Sequence, residues 1–140
     1  MLKSDKQMPQ IKKFEGFKKP YFTAPHILDI RSLKEIDTLF TDNPKLDMVL
    51  DFWAEWCGPC KQFFPIFERL HKEYCNYFVF AKVNIEQDKL ISYKYNITNL
   101  PTCIIIKNGN LAYMHASIID YLELKETLER YKSFELNAND

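Results

Sequence analysis

The mostly apolar run "LDMVLDFWA" at 46–54 says more about what this chain can fold into than any other stretch. It has the pattern of a central strand covered on both faces, which a sheet achieves when helices pack on each side of it. The run leads directly into "EWCGPCK", where Cys57 and Cys60 stand one helical turn apart at the start of a helix. That helix continues to about Tyr74, with Phe63, Ile66, Phe67 and Leu70 at helical spacing and Pro65 expected to kink it.

The flanking segments supply the other layers. "HILDI" (26–30) reads as a short strand. Ser32 then opens a helix with the capping-box pattern Ser32-x-x-Glu35, placing Leu33, Ile36 and Phe40 on one face and ending at Asn43-Pro44. "YFVFAKVNI" (77–85) reads as a strand and "DKLISYKY" (88–95) as a short helix, closed by Asn96 in the left-handed conformation. "TCIIIK" and "LAYMHA" flank Asn108-Gly109, a strong hairpin signal. The last segment, "IDYLELKETLERYK", is an amphipathic helix opened by Asp120-x-x-Glu123, with Leu124, Leu128 and Tyr131 in line. The order β-α-β-α-β-α-β-β-α predicts an α/β fold: a central mixed sheet flanked by helices on both faces. Residues 26–132 hold the whole pattern as one domain. Residues 1–25 form a Lys-rich extension, with six Lys interrupted by Pro9 and Pro20 and ended by Pro25, expected to be flexible with its last aromatics docked on the domain. Residues 133–140 are a polar tail.

Composition narrows the function. At 140 residues the chain can bury one real core. Its 19 basic and 19 acidic residues cancel, so nothing electrostatic favours nucleic acid as a partner. No apolar stretch approaches the roughly 18 residues of a membrane-spanning helix, and the N-terminus lacks the continuous apolar segment of a secretory signal. The expectation is a soluble, cytoplasmic monomer with no integral membrane segment, or an organellar one if the extension is the remainder of a targeting segment. Cysteines at 57, 60, 75 and 103 are too few and too unevenly spaced for a disulfide-stapled secreted scaffold, so reduced or cycling thiols are expected.

A Cys-x-x-Cys pair at a helix start carries its own chemistry. Unpaired N–H groups and the positive end of the helix dipole stabilise a thiolate there. Cys57, in the first turn, should therefore be the exposed nucleophile with a lowered pKa. Cys60, one turn further in and shielded, is close enough to resolve a mixed disulfide formed by Cys57. Gly58 lets a substrate backbone approach, and Pro59 stiffens the loop at a position that needs no N–H. Zinc is the sharpest competitor, but a structural zinc site wants four ligands, and this chain has one such pair with His26, His71 and His115 scattered singly. Two inert core cysteines would leave Gly58-Pro59 and both tryptophans without a reason. The redox couple is the better reading, and no metal is expected.

At this point "VLDFWAEWCGPCK" resembles the active-site segment of the thioredoxin family, and the similarity extends from about residue 26 to 132. The resemblance implies a thioredoxin fold and a thiol-disulfide oxidoreductase that reduces protein disulfides through a redox-active Cys57–Cys60 disulfide. It implies no bound cofactor, re-reduction by an NADPH-dependent flavoprotein reductase, and disulfide-containing clients such as peroxiredoxins, in the service of cell redox homeostasis. Asp51 matches the family's buried carboxylate, a proton shuttle for Cys60 whose burial should raise its pKa. Lys82 matches the lysine that pairs with that carboxylate. Trp53 matches a residue packed under the site, Trp56 one on the docking surface, and Pro65 the kink proline. Pro101, in "NLPT", matches a cis-proline facing Cys57, and the backbone of Leu100 would pair with a substrate strand. Ser117 and Asn96 depart from the family, which usually has glycine at the first and often at the second; Ser117 adds a side chain to the groove wall. Cys75 and Cys103 lie outside the motif and are expected to be buried thiols. The alternative to an enzyme is a thioredoxin-fold subunit or adaptor of a larger assembly. The intact pair with Asp51 favours the enzyme, since an adaptor needs neither, and Gly58-Pro59 between the cysteines favours reduction over oxidation.

Overall fold

The computed structural model describes residues 25–132 and, upstream, two short strands, β1 (Lys12–Phe14) and β2 (Tyr21–Thr23). These two pair antiparallel, with Lys12 opposite Thr23 and Phe14 opposite Tyr21, a ribbon the sequence reading did not anticipate. The expectations of a flexible extension and a polar tail otherwise concern residues outside those described.

The expected order then follows: β3 (Leu28–Ile30), α1 (Leu33–Asp42), β4 (Met48–Trp53), α2 (Gly58–Tyr74), β5 (Val79–Asn84), α3 (Lys89–Lys94), β6 (Thr102–Lys107), β7 (Asn110–Ala116) and α4 (Tyr121–Tyr131). Strands β3, β5 and β4 run parallel, β6 and β7 add antiparallel, and the sheet order is β3-β5-β4-β6-β7. Strand β4 is central, which is why its sequence is apolar on both sides. Met48, Leu50 and Phe52 pack with Ile36 and Leu39 of α1 and Ile91 of α3. Val49, on the opposite face, packs with Phe63, Phe67 and Leu70 of α2 and with Leu124 and Leu128 of α4. Strand alternation puts Asp51 on that second face, beneath the helix that carries the cysteines.

Local chemistry sets the element ends. Ser32 Oγ accepts the Glu35 N–H at 3.1 Å, while the Glu35 carboxylate accepts from Arg31 N–H at 2.7 Å, so the capping box closes one residue upstream of its usual place. Asp88 caps two helices with one carboxylate, accepting from Leu90 N–H at 3.0 Å and from Leu33 N–H at 2.8 Å. Asp120 accepts from Glu123 N–H at 2.9 Å and starts α4. Asn96 is left-handed, at φ 55°. Asn108 and Gly109, at φ 53° and 79°, form the tight β6–β7 turn, which needs positive φ at both positions.

Candidate active site

The site grows from the junction of β4 and α2. Cys57 is the N-cap of α2, one residue before the first-turn position expected for it, and its Sγ accepts the Cys60 N–H at 3.1 Å. A sulfur so placed uses one of the unpaired donors of the helix end. The first turn contains no acidic residue to offset the positive end of the 17-residue helix. Gly58 and Pro59 occupy the first helical positions, where proline forfeits no hydrogen bond. A Cβ on Gly58 would meet nothing within 4 Å, so crowding within the chain does not require the glycine. Cys57 and Cys60 are joined as a disulfide with Cα atoms 5.3 Å apart.

One expectation needs correcting. Cys57 was expected to be exposed, but in the disulfide form it is 4% exposed and Cys60 2%. Trp53, Ala54, Ile85 and Leu100 pack around the two sulfurs, and this cover comes from three segments, two of which, at Ile85 and Leu100, motif spacing alone does not bring to the site.

Around the disulfide, the Leu100–Pro101 peptide is cis, and Thr102 Oγ1 donates to Asn99 O at 2.6 Å beside it. Trp56 is 68% exposed, and its indole N–H donates to Glu86 Oε2 at 2.9 Å. Sequence reading missed Glu86; the signal available was an acidic residue in the turn after a strand parallel to β4. A groove of about 450 Å³ runs over Trp56, Cys57, Gly58, Pro59 and Leu100. Ser117 lies one residue beyond the Thr102–Ala116 pair, level with Pro101. It is exposed at φ 149°, with Oγ 3.2 Å from His115 Nε2.

Beneath the disulfide, Asp51 is 1% exposed, and Oδ1 has no hydrogen-bond partner among the described residues. Burial pushes its pKa up to about 7, against the opposing pull of the Lys82 charge. Lys82 is its in-register neighbour on β5, but the two make no direct ion pair. The Lys82 ammonium lies 5.0 Å from the Phe64 ring centre and 5.5 Å from that of Trp53. A cavity of about 270 Å³ is lined by Asp51, Cys60, Trp53, Lys61, Phe64, Pro65 and Lys82, so it joins the carboxyl to the inner cysteine. Pro65 lies inside α2 on its wall.

Among the described residues no group of His, Cys, Asp and Glu is arranged to hold a metal ion, and no helix is long and apolar enough to cross a membrane.

A mixed five-stranded sheet carrying a disulfide at the N-cap of a central helix, over a buried carboxyl, defines a dithiol-disulfide oxidoreductase of thioredoxin-like fold. The Thioredoxin family model matches residues 34–130. The thioredoxin of Mycoplasma genitalium is 41% identical over 83 residues, 59% of this chain and 78% of that protein. The thioredoxin of Mycoplasmoides gallisepticum is 39% identical over 100 residues, 71% of this chain and 97% of that protein. Among solved structures, Fasciola hepatica thioredoxin superposes with a TM-score of 0.68 at 33% identity, over 74% of this chain and 98% of its own. Plasmodium falciparum thioredoxin does so with a TM-score of 0.65 at 34% identity, over 74% and 97%. The chain belongs to the thioredoxin family. It is a thiol-disulfide oxidoreductase working by dithiol-disulfide exchange, a chemistry that needs no bound cofactor and implies disulfide-bearing partners.

Proposed function

We propose that the chain reduces protein disulfides with Cys57 as nucleophile, Cys60 as resolving thiol and Asp51 as proton acceptor. In the reduced state the Cys57 thiolate attacks one sulfur of a client disulfide. A mixed disulfide forms and the client's other sulfur leaves as a thiolate. The Cys60 thiol then gives its proton to the Asp51 carboxylate through the shared cavity and attacks Cys57 Sγ, releasing the client's second thiolate and closing Cys57–Cys60. The observation that carries this reading is that Asp51 and Cys60 line one cavity while Cys57 caps the helix above it. A carboxyl held near pH 7 takes and returns a proton readily under neutral conditions. Lys82 acts on it by charge at a distance, and Trp53 packs the floor of the site.

Client recognition falls to the groove over Trp56, Gly58, Pro59 and Leu100, where a client strand pairs with the Leu100 backbone beside Pro101 and passes Ser117. The open space above Gly58 supports a close backbone approach. Electrons return from an NADPH-dependent flavoprotein reductase, and clients include peroxiredoxins. The working unit is the domain at 26–132, a cytoplasmic monomer, with residues 1–25 as an accessory extension. The test is reduction of insulin driven by dithiothreitol, together with substrate trapping by Cys60→Ser. Rapid insulin reduction and accumulation of Cys57-linked clients are expected; the absence of both would remove the assignment.

A further inference from the structure

Lys82 stands beside Asp51 on the neighbouring parallel strand, and Asp29 flanks it on the other side. Neighbouring strands lie about 5 Å apart, a gap that the four-carbon stem of a lysine spans easily. Yet the Lys82 ammonium rests 5.0 Å from the centre of the Phe64 ring and 5.5 Å from that of Trp53. Asp51 Oδ1 meanwhile has no hydrogen-bond partner among the described residues. All four side chains line the cavity beside Cys60. Phe64 is the nearer ring and, unlike Trp53, does not pack against the disulfide. It is held in an aromatic stack: its centre lies 6.3 Å from that of Phe67, which meets Phe80 edge-on at 5.3 Å. Phe80 precedes Lys82 by two positions on β5, so the stack ties α2 to the strand that carries the lysine.

We propose that Phe64 is a positioning residue for Lys82, its ring holding the ammonium on the cavity wall and away from the Asp51 carboxyl. An aromatic face attracts a cation, the more so where water is excluded, so the ring competes with the carboxylate for the same charge. Held there, Lys82 acts on Asp51 only from a distance, and burial keeps the upper hand. Released, the ammonium can reach Oδ1 and favour the carboxylate form. Asp29 is the rival destination, but it is exposed and already paired with Arg31 at 3.6 Å, whereas Oδ1 is buried and unpartnered. Cys103 faces Asp51 from β6, with His115 of β7 beyond it. From α2 come Cys60 and Lys61 at the cavity, Glu68 one turn beyond Phe64, and His71 against Phe80. The consequence for turnover rests on Asp51 being the proton acceptor; the placement of the lysine does not.

The experiment is an NMR titration of the Asp51 side-chain carboxyl in the oxidised full-length chain. It is repeated in Phe64→Leu, Phe64→Tyr, Lys82→Met and the double variant Phe64→Leu/Lys82→Met. Phe64→Leu should lower the midpoint by about one pH unit, as the freed ammonium closes on the carboxylate. Phe64→Tyr keeps the ring and should leave the midpoint in place. Lys82→Met removes the charge and should raise the midpoint, and adding Phe64→Leu to it should then change nothing. That last comparison separates the two causes of a fall: a smaller side chain that merely admitted water would lower the midpoint equally with and without the lysine. An equal fall in both backgrounds overturns the proposal. So does an unchanged or raised midpoint in Phe64→Leu, or a fall in Phe64→Tyr as large as that in Phe64→Leu. None of these readings involves turnover, so failure of Asp51 as proton acceptor would leave them intact.

Discussion

Lys82 and Asp51 are in-register neighbours on adjacent parallel strands, yet the lysine ammonium lies over aromatic rings and forms no ion pair with the carboxylate. A direct pair would hold Asp51 ionised well below neutrality. At its actual distance the lysine only tempers the effect of burial, and the carboxyl stays up at about 7. The separation of these two side chains is what leaves Asp51 able to exchange a proton under neutral conditions.

The same burial makes Asp51 a pH-dependent cost to stability. Its folded-state pKa, about 7, lies above the ordinary 3.8, so the folded chain holds the extra proton between those values. Stability is therefore fullest below the ordinary value and is lost as pH rises through the folded one. Asp51→Asn should match the wild type in stability near about pH 3.5 and exceed it by about 4 kcal/mol at about pH 8. The same variant should slow the attack of Cys60 in single-turnover reduction. Urea unfolding at the two pH values checks the first claim; equal stabilisation at both would show that the gain is not electrostatic.

What the sequence made legible was mostly local. Asn108-Gly109, Asn96, and the capping residues Ser32 and Asp120 act within a few residues, so their patterns predict their geometry. Partnerships set by strand order were not legible in the same way. That Cys103 falls opposite Asp51 follows only once β6 lies beside β4. The cover over Cys57 is similar, since Ile85 and Leu100 arrive from distant segments. The β1–β2 ribbon was missed because its strands are three residues each, amid prolines and lysines.

The cysteines should differ in reactivity once the disulfide is opened. Cys57 caps the helix and its Sγ accepts a backbone N–H, whereas Cys103 is fully enclosed and its thiol is pushed up by burial. Brief alkylation of the reduced protein near neutral pH should label Cys57 first and leave Cys103 unlabelled. Mass spectrometry of the peptides reads this directly. Early labelling at Cys60 would reverse the two roles.

Gly109→Ala should destabilise the domain by about 1–3 kcal/mol without changing activity per folded molecule. Its φ of 79° is one that L side chains rarely adopt, and an added Cβ would lie 2.5 Å from Pro44 O. The turn joins the ends of β6 and β7 farthest from Pro101 and the disulfide. Gly58→Ala is the control, with open space around its Cβ, and should barely alter the urea midpoint. Equal losses for the two variants would contradict this account.

Ser117→Gly should stabilise the protein by about 0.5–1 kcal/mol and speed reduction of protein clients more than of small disulfides. At φ 149°, Ser117 holds a conformation favoured by glycine, at a strain of about 1–3 kcal/mol. Against that stand the extra freedom glycine gives the unfolded chain, about 0.5–1 kcal/mol, and the loss of its exposed hydrogen bonds to His115 and Ile118. Exposed bonds of this kind return little because water replaces them, so relief of strain should win. Removing the side chain also clears the position level with Pro101, where a client strand would pass but a small disulfide would not reach. Thermal unfolding and paired assays with insulin and a low-molecular-weight disulfide give the two readings. A drop in stability would show instead that the bonds of Ser117 hold the end of β7 in place.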